Sequence, residues 1–438
     1  MQSLFLTAVF AGLMFMGFTA AFGAALGFVW VDIVKPQALA YSIIRDLPLS
    51  LIAALAMLSQ FTIKDRKHPP QFGSLLILIS ALAVWITLTS WMSIVPSAWT
   101  KWDWVFKVLV FSVLIPFIFR SRIQIEAFIL VFIFSAATIF FSAGIKTLLG
   151  SGGYGVLAIM GGGNTGLAEG STLAAVCAML IPLILHVMRN SLIFPKSWFS
   201  FALFTGIIVT AIAAIVGTAA RTGLIAMGVL FVLGVIKSKH RVWLLIGGAL
   251  LAIVLMNIDL SATPWGARMS TIETYDQDSS AMGRIAVWQW TAEYSLTHIF
   301  GGGFDAFRLS GIAGVAADGT LRYYPPGSML GLAFHSVYFE VLGEQGILGF
   351  LMYFSMIIIT LIKLRKLRKK WRNQGGMAWL VSLSDALTSS ILVFLAGGAF
   401  IGIAYQPFIF YMIGLTVAID QYSARVEKDM RSKLKGGK

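Results

Sequence analysis

The sequence predicts an all-α, polytopic membrane protein with about twelve transmembrane helices and one large polar loop. The 438-residue chain is 58% hydrophobic and only 12% charged, whereas soluble domains carry about 25% charged residues. Its mean hydropathy is +0.85. Apolar runs of about 20 residues, the length that crosses a bilayer as a helix, recur along most of the chain.

The spans can be taken in order. The first, 4–24, continues apolar to Trp30 with no basic n-region and no small-residue cleavage site, so it is expected to be retained and not removed as a signal peptide. Spans 47–63 and 73–91 flank the basic turn Lys64-Asp65-Arg66-Lys67, and spans 105–119 and 125–143 flank Arg120-Ser121-Arg122. Then come 170–188, 199–218, 222–236 and 242–259, the last two separated by Lys237-Ser238-Lys239-His240-Arg241. After a polar stretch follow 345–363, 385–404 and 406–424, and the basic tail Arg425 to Lys438 closes the chain. The shorter spans imply tilted or half-buried helices. This divides the chain into N-terminal helices 1–169, core helices 170–259, the loop 260–344 and C-terminal helices with the tail, 345–438.

Lys and Arg concentrate on cytoplasmic faces. With both termini in the cytoplasm, 23 of the 33 Lys and Arg fall inside and 13 of the 19 acids outside. The net charge of +14 is therefore explained by topology and contacts with anionic lipid heads, and no nucleic-acid partner is expected. The loop 260–344 faces outward, which in a bacterial inner membrane means the periplasm. The one cysteine, Cys177, lies in an apolar run without a partner.

Candidate chemistry belongs on the outer face. Of five histidines, only His298 and His335 reach it. His335 precedes a span, where it is either functional or simply interfacial. Arg221 sits where two spans meet with almost no loop. An arginine near membrane depth is costly and usually paired or functional, although snorkelling is the plain alternative. A guanidinium there makes an anion clamp, a planar fork that keeps its proton. Arg284 opens a helix ahead of Trp288. After it, Gly301-Gly302-Gly303-Phe304 forms a backbone-accessible turn, a weak signal for a phosphate loop without a Walker lysine. Arg268, Arg308 and Arg322 are further outer cations. Tyr323 and Tyr324 offer faces suited equally to sugar rings and to a membrane interface. Glu340 and Glu344 follow His335 at i+5 and i+9, so partnership with it needs a bend, and either could pair with an arginine. No metal-ligand spacing or serine-nucleophile motif is present, and Asp276-Gln277-Asp278 reads as a solvated loop.

These residues together resemble the O-antigen ligase family, which includes Wzy-type polymerases and oligosaccharide ligases. The matching features are Arg221 in a tight turn between helices, Arg284 with Trp288, Gly301, Gly303 and Phe307, and His335 with Glu344 and Gly346. Ser336 stands where the family has Asn, and Phe339 where it has an aliphatic residue. The segments Gly27 to Gln37, Lys64 to Pro70 and Gly161 to Leu167 resemble the O-glycosylation ligases associated with exosortase systems.

The resemblance implies a GT-C-like glycosyltransferase that uses no cofactor and no metal. Its donor would be a glycan on undecaprenyl diphosphate, and its acceptor a hydroxyl of a glycan, lipid or protein. Arg221 and Arg284 would hold the diphosphate and His335 would serve as base. Arg308, Arg322, Glu344, Tyr323 and Tyr324 would contact substrate, and a single displacement would invert the anomeric centre. A Wzy-type polymerase has the same donor chemistry. A lipid-linked oligosaccharide transporter is disfavoured, because the spans between Lys64 and Asp259 are nearly free of acids.

Overall fold

In the computed structural model, residues 2–41, 43–65, 72–150, 166–257, 279–316 and 318–436 are described. They form a helical bundle. Its N-terminal elements are α1 (Gln2–Thr19), α2 (Ala21–Val34), the single turn α3 (Pro36–Leu39), α4 (Leu49–Gln60), α5 (Ser74–Met92) and α6 (Ala98–Ile118). The core elements are α7 (Arg122–Leu148), α8 (Gly170–Asn190), α9 (Trp198–Gly217), α10 (Arg221–Lys237) and α11 (Arg241–Asn257). Then come α12 (Ser279–Thr297), the strands β1 (Ile312–Val315) and β2 (Leu321–Tyr323), α13 (Val337–Trp371), α14 (Ala378–Gly397) and α15 (Pro407–Gly436). Among the described residues, six helices are long and apolar enough to cross a membrane, and four shorter ones are apolar as well.

Local sequence sets several helix starts. Ser121 opens α7 in a capping box with Gln124, which satisfies two backbone donors that the first turn leaves free. Glu169 caps α8 by accepting from Thr172 N at 3.1 Å and Thr172 Oγ1 at 2.6 Å. The most apolar stretch of α8 is 83% buried inside the bundle, against 33% for α13. So α8 lies at the centre and α13 presents much of its surface outward. Next to it Phe28, Phe111, Phe128 and Tyr411 stack into one aromatic core shared by α2, α6, α7 and α15.

Three expectations change. The first span is two helices, because the chain turns back at the extended residue Ala20. A Cβ on Gly17 would lie 2.9 Å from Ala24 Cβ, so α1 and α2 close on small residues as an antiparallel hairpin. Every residue of that turn is small and uncharged, so hydropathy carries no mark of the reversal.

The hairpin also corrects the placement of both termini on one side. Ser3 Oγ accepts from Tyr41 N at 3.1 Å, while Thr19 O takes Lys64 Nζ at 3.0 Å. Phe61 and Phe72, on either side of that basic segment in the sequence, both meet Phe117 near the end of α6. Arg425 of α15 bonds to Arg120 O, just beyond that same end, at 2.7 Å. The N-terminus and the chain after Arg425 therefore lie at opposite ends of the bundle.

The third change concerns the polar loop. From Ser279 it contains α12 and an antiparallel β1–β2 ribbon, so the all-α architecture carries one small strand pair.

Candidate active site

Arg284 and Trp288 are one turn apart on α12 and share a face. Trp288 Nε1 donates to Phe334 O at 2.7 Å, and its ring stacks on Phe339 at 5.1 Å with 7° between planes. Beneath them Val287, Ala306, Ile312 and Phe334 form a separate small core. The Arg-x-x-x-Trp pattern thus acts through its tryptophan, which fastens α12 to the residue just before His335.

His335 has φ 48°, a left-handed conformation that costs a non-glycine residue about 1–3 kcal/mol. The segment is pinned on both sides. Trp288 holds the preceding carbonyl, and Val337 N donates to Gly398 O at 2.7 Å. The imidazole is partly buried, and no hydrogen bond links it to another described residue. Burial holds its pKa below the ordinary histidine value and the nearby Arg284 charge adds to this, while Glu169 and Glu340 pull the other way. Its predominant state near neutral pH is therefore the uncharged ring. Arg284 is partly buried too, with a buried Nε that has no hydrogen-bond partner among the described residues.

Arg221 heads α10 after the three-residue turn Thr218-Ala219-Ala220, in which Ala219 has φ 48°. Thr218 Oγ1 accepts from Ala220 N at 3.3 Å. A Cβ on Gly223 would lie 2.9 Å from Ala174 Cβ, and one on Gly397 would lie 3.3 Å from Ala175 Cβ and 3.8 Å from Thr222 Cγ2. The starts of α8, α10 and α13 therefore gather around the end of α14. Neither Ala220 nor Ser336 caps its helix with a side chain. Helix starts left this way favour negative charge. Arg221, Arg284 and His335 are on elements that meet at this end.

The glycine turn has a different role from a phosphate loop. Gly302 N donates to Gly343 O at 3.0 Å and Gly303 N to Glu344 O at 2.9 Å. Both accept because α13 is broken at Gly346, with φ 67° and ψ −172°, leaving carbonyls without intrahelical donors. Trp85 Nε1 takes the next one, Gln345 O, at 2.9 Å. A Cβ on Gly301, itself at φ 76°, would lie 2.5 Å from Gly346 N. The two glycine sites close on each other, and the amides of Gly302 and Gly303 are already used.

Behind this contact lies a buried ionic floor. Lys101 Nζ donates to Glu340 Oε1 and Glu344 Oε1, each at 2.8 Å, and lies 3.9 Å from Asp305 Oδ1. The two glutamates are at i and i+4, so one ammonium reaches both. Asp305 N also donates to Glu344 Oε1 at 2.9 Å. Glu344 is wholly buried. Expected to touch substrate, it instead holds Lys101 and Asp305 from beneath, and its cation is a lysine from α6 and not an arginine.

The remaining candidates separate. Arg308 lies 3.9 Å from Asp305 and bonds Met329 O at 3.3 Å. Arg322 and Tyr323 are exposed on β2, with Tyr324 beside them. His298 is an exposed surface ring stacked on Tyr294 at 4.0 Å. Arg268, Asp276 and Asp278 fall outside the described residues, as does most of the Gly161–Leu167 motif. Sequence reasoning missed Glu169, Lys101 and Asp305. Glu169 had a readable signal, an acid three residues before a threonine at the start of an apolar run. Lys101 had none, because its partners lie more than 200 residues away.

Two family models match the chain. Residues 1–192 match a family of unknown function (DUF5935), and residues 206–354 match the family described as O-antigen ligase. The match over residues 206–354 supports the O-antigen ligase superfamily reading. With the apolar helices, this match points to a multi-pass membrane protein, and the family implies glycan transfer with lipid-linked glycan and acceptor substrates. No curated protein matches it. The O-antigen ligase region contains Arg221, Arg284, His335, Glu340 and Glu344, whereas Lys101 and Glu169 come from the region matching the family of unknown function.

Proposed function

We infer that this O-antigen ligase homologue transfers a glycan from undecaprenyl diphosphate to an acceptor hydroxyl on the periplasmic face of the bacterial inner membrane. The observation that carries this is the pairing of an uncharged histidine with Arg284 among uncapped helix starts. The charge asymmetry supports the orientation, with the basic end of the bundle in the cytoplasm and the His335 end outside. On this reading the N-terminus lies outside and the tail inside.

Three needs of the reaction have candidates. The acceptor oxygen attacks the anomeric carbon as the bond from that carbon to the diphosphate oxygen breaks. The diphosphate leaves with the electron pair, and Arg221 and Arg284 offset its growing charge. The hydroxyl proton passes to His335, which accepts it as a free imidazole nitrogen. One displacement inverts the anomeric centre. Two fixed guanidinium groups supply the charge a divalent ion would otherwise bring, which makes the reaction metal-independent. The motifs at 27–37 and 64–70 favour a place among the exosortase-associated O-glycosylation ligases.

A reconstituted assay with a lipid-diphosphate glycan tests the reading. Transfer to lipid, protein or another carrier is expected, with inversion and with full activity in excess chelator. A ladder of lengths kept on lipid diphosphate would instead identify a polymerase. Transfer by His335→Ala at the wild-type rate would remove His335 from the reaction.

A further inference from the structure

A polar cleft of about 220 Å³ opens above the ionic floor and is lined in part by Glu340. Its walls come from three parts of the chain: Thr100, Lys101 and Trp104 on α6, Asp305 and Glu340 in the O-antigen ligase region, and Gln406 just before α15. Several polar groups there are open. Asp305 Oδ2 is taken by Ser97 Oγ at 2.5 Å, but the nearest cation to Oδ1 is Lys101 at 3.9 Å, beyond hydrogen-bond range. The Thr100 hydroxyl and the Gln406 amide have no hydrogen bonds to other described residues. Lys101 uses two of its three N–H donors on glutamates.

This set selects a ligand class by elimination. An ammonium at the floor repels a metal cation. Carboxylate oxygens at the wall repel an anion, the lipid diphosphate included. A neutral polyhydroxyl ring both donates and accepts, so it meets Asp305, Gln406 and Thr100 while Trp104 covers its apolar face. The volume is below the roughly 300–1,000 Å³ of sites for drug-sized ligands, which suits a single ring.

We propose that this cleft is a monosaccharide subsite, and that the N-terminal region of unknown function helps select the sugar through Thr100 and Trp104. The proposal deepens the transferase reading and rests on it for the source of the sugar, donor or acceptor. The test uses full-length reconstituted protein with Thr100→Phe and Gly402→Val. Thr100 is exposed, and a Cβ on Gly402 would stand 3.4 Å from Glu340 Oε2, so both substitutions fill the cleft; Thr100→Phe also removes the Thr100 hydroxyl, whereas Gly402→Val leaves every polar group in place. The KM of one substrate should rise about tenfold with kcat within about twofold, and inhibition by sugar-free undecaprenyl diphosphate should not change. A rise in donor KM assigns the cleft to the donor glycan, and a rise in acceptor KM to the acceptor. Saturation-transfer NMR with the free oligosaccharides gives a second readout without turnover. A signal in wild type that is lost in Thr100→Phe supports the subsite even if no transfer is found, in which case the transferase reading alone fails. Both KM values within about twofold of wild type in both variants, or no saturation transfer to wild type, would overturn the subsite.

Discussion

Two polar groupings lie side by side in this protein and are built in opposite ways. Lys101, Glu340, Glu344 and Asp305 are largely enclosed and hold one another at hydrogen-bond distance. Arg284 and His335 are partly exposed and hold a buried nitrogen or a ring without hydrogen bonds to other described residues, and His335 sits on strained backbone beside an uncapped helix start. The first grouping spends most of its hydrogen-bonding capacity on the fold, leaving Glu344 Oε2 and Asp305 Oδ1 without hydrogen bonds among the described residues. The second keeps its capacity open, which is what binding and proton transfer require. The difference teaches that in a buried polar region, the atoms already bonded to one another mark a support and the atoms left open mark a site, even where both belong to one cluster.

The comparison predicts separable mutational effects. The largest is on rate: His335→Ala should slow transfer by about 10²–10⁴, the usual contribution of a general base. His335→Gly should be equally slow yet unfold no earlier than wild type, because glycine accepts φ 48° without strain. Thermal unfolding in detergent checks this, and early unfolding of the glycine variant would move His335 to the supporting group.

Lys101→Met should behave in the reverse sense. Removing one partner of a buried ion pair costs about 3–5 kcal/mol, so folding should fail before chemistry does. Gly346→Ala should cost at least about 3 kcal/mol, since its φ is 67° and a Cβ there would overlap the Ile299 carbonyl. Activity per folded molecule near wild type in Gly346→Ala would confine that contact to support.

The smallest effect is with pH. His335 is uncharged above its folded pKa, which lies below the ordinary value of about 6.5. Transfer should therefore hold at pH 6.5 and fall only as the pH drops through that lower value. Its contribution to stability runs the same way, present above about 6.5 and lost as the pH falls to the folded pKa. An acid limb of kcat/KM centred above 6.5 would contradict the burial of the ring.

How much was legible in the sequence follows the same division. Arg221, Arg284 and His335 stood out because each interrupts a local pattern: an apolar run, a helix start or the approach to a span. Tyr323 and Arg322 carried similar local signals but lie on an exposed ribbon, because residue type alone does not fix depth. The glycine turn resembled an anion loop until its amides were found donating to the broken end of α13.

The sequence by itself determined the membrane class and the approximate course of the helices, and it marked Arg221, Arg284 and His335 as candidates. Hydropathy and motif spacing act over tens of residues, so they survive reading in one dimension. Only the tertiary structure decided that α1 and α2 reverse, that the chain ends lie at opposite ends of the bundle, and that Lys101 supports Glu340 and Glu344. Those depend on close approach and on charges joined across 239 and 243 residues of sequence, which no local pattern records.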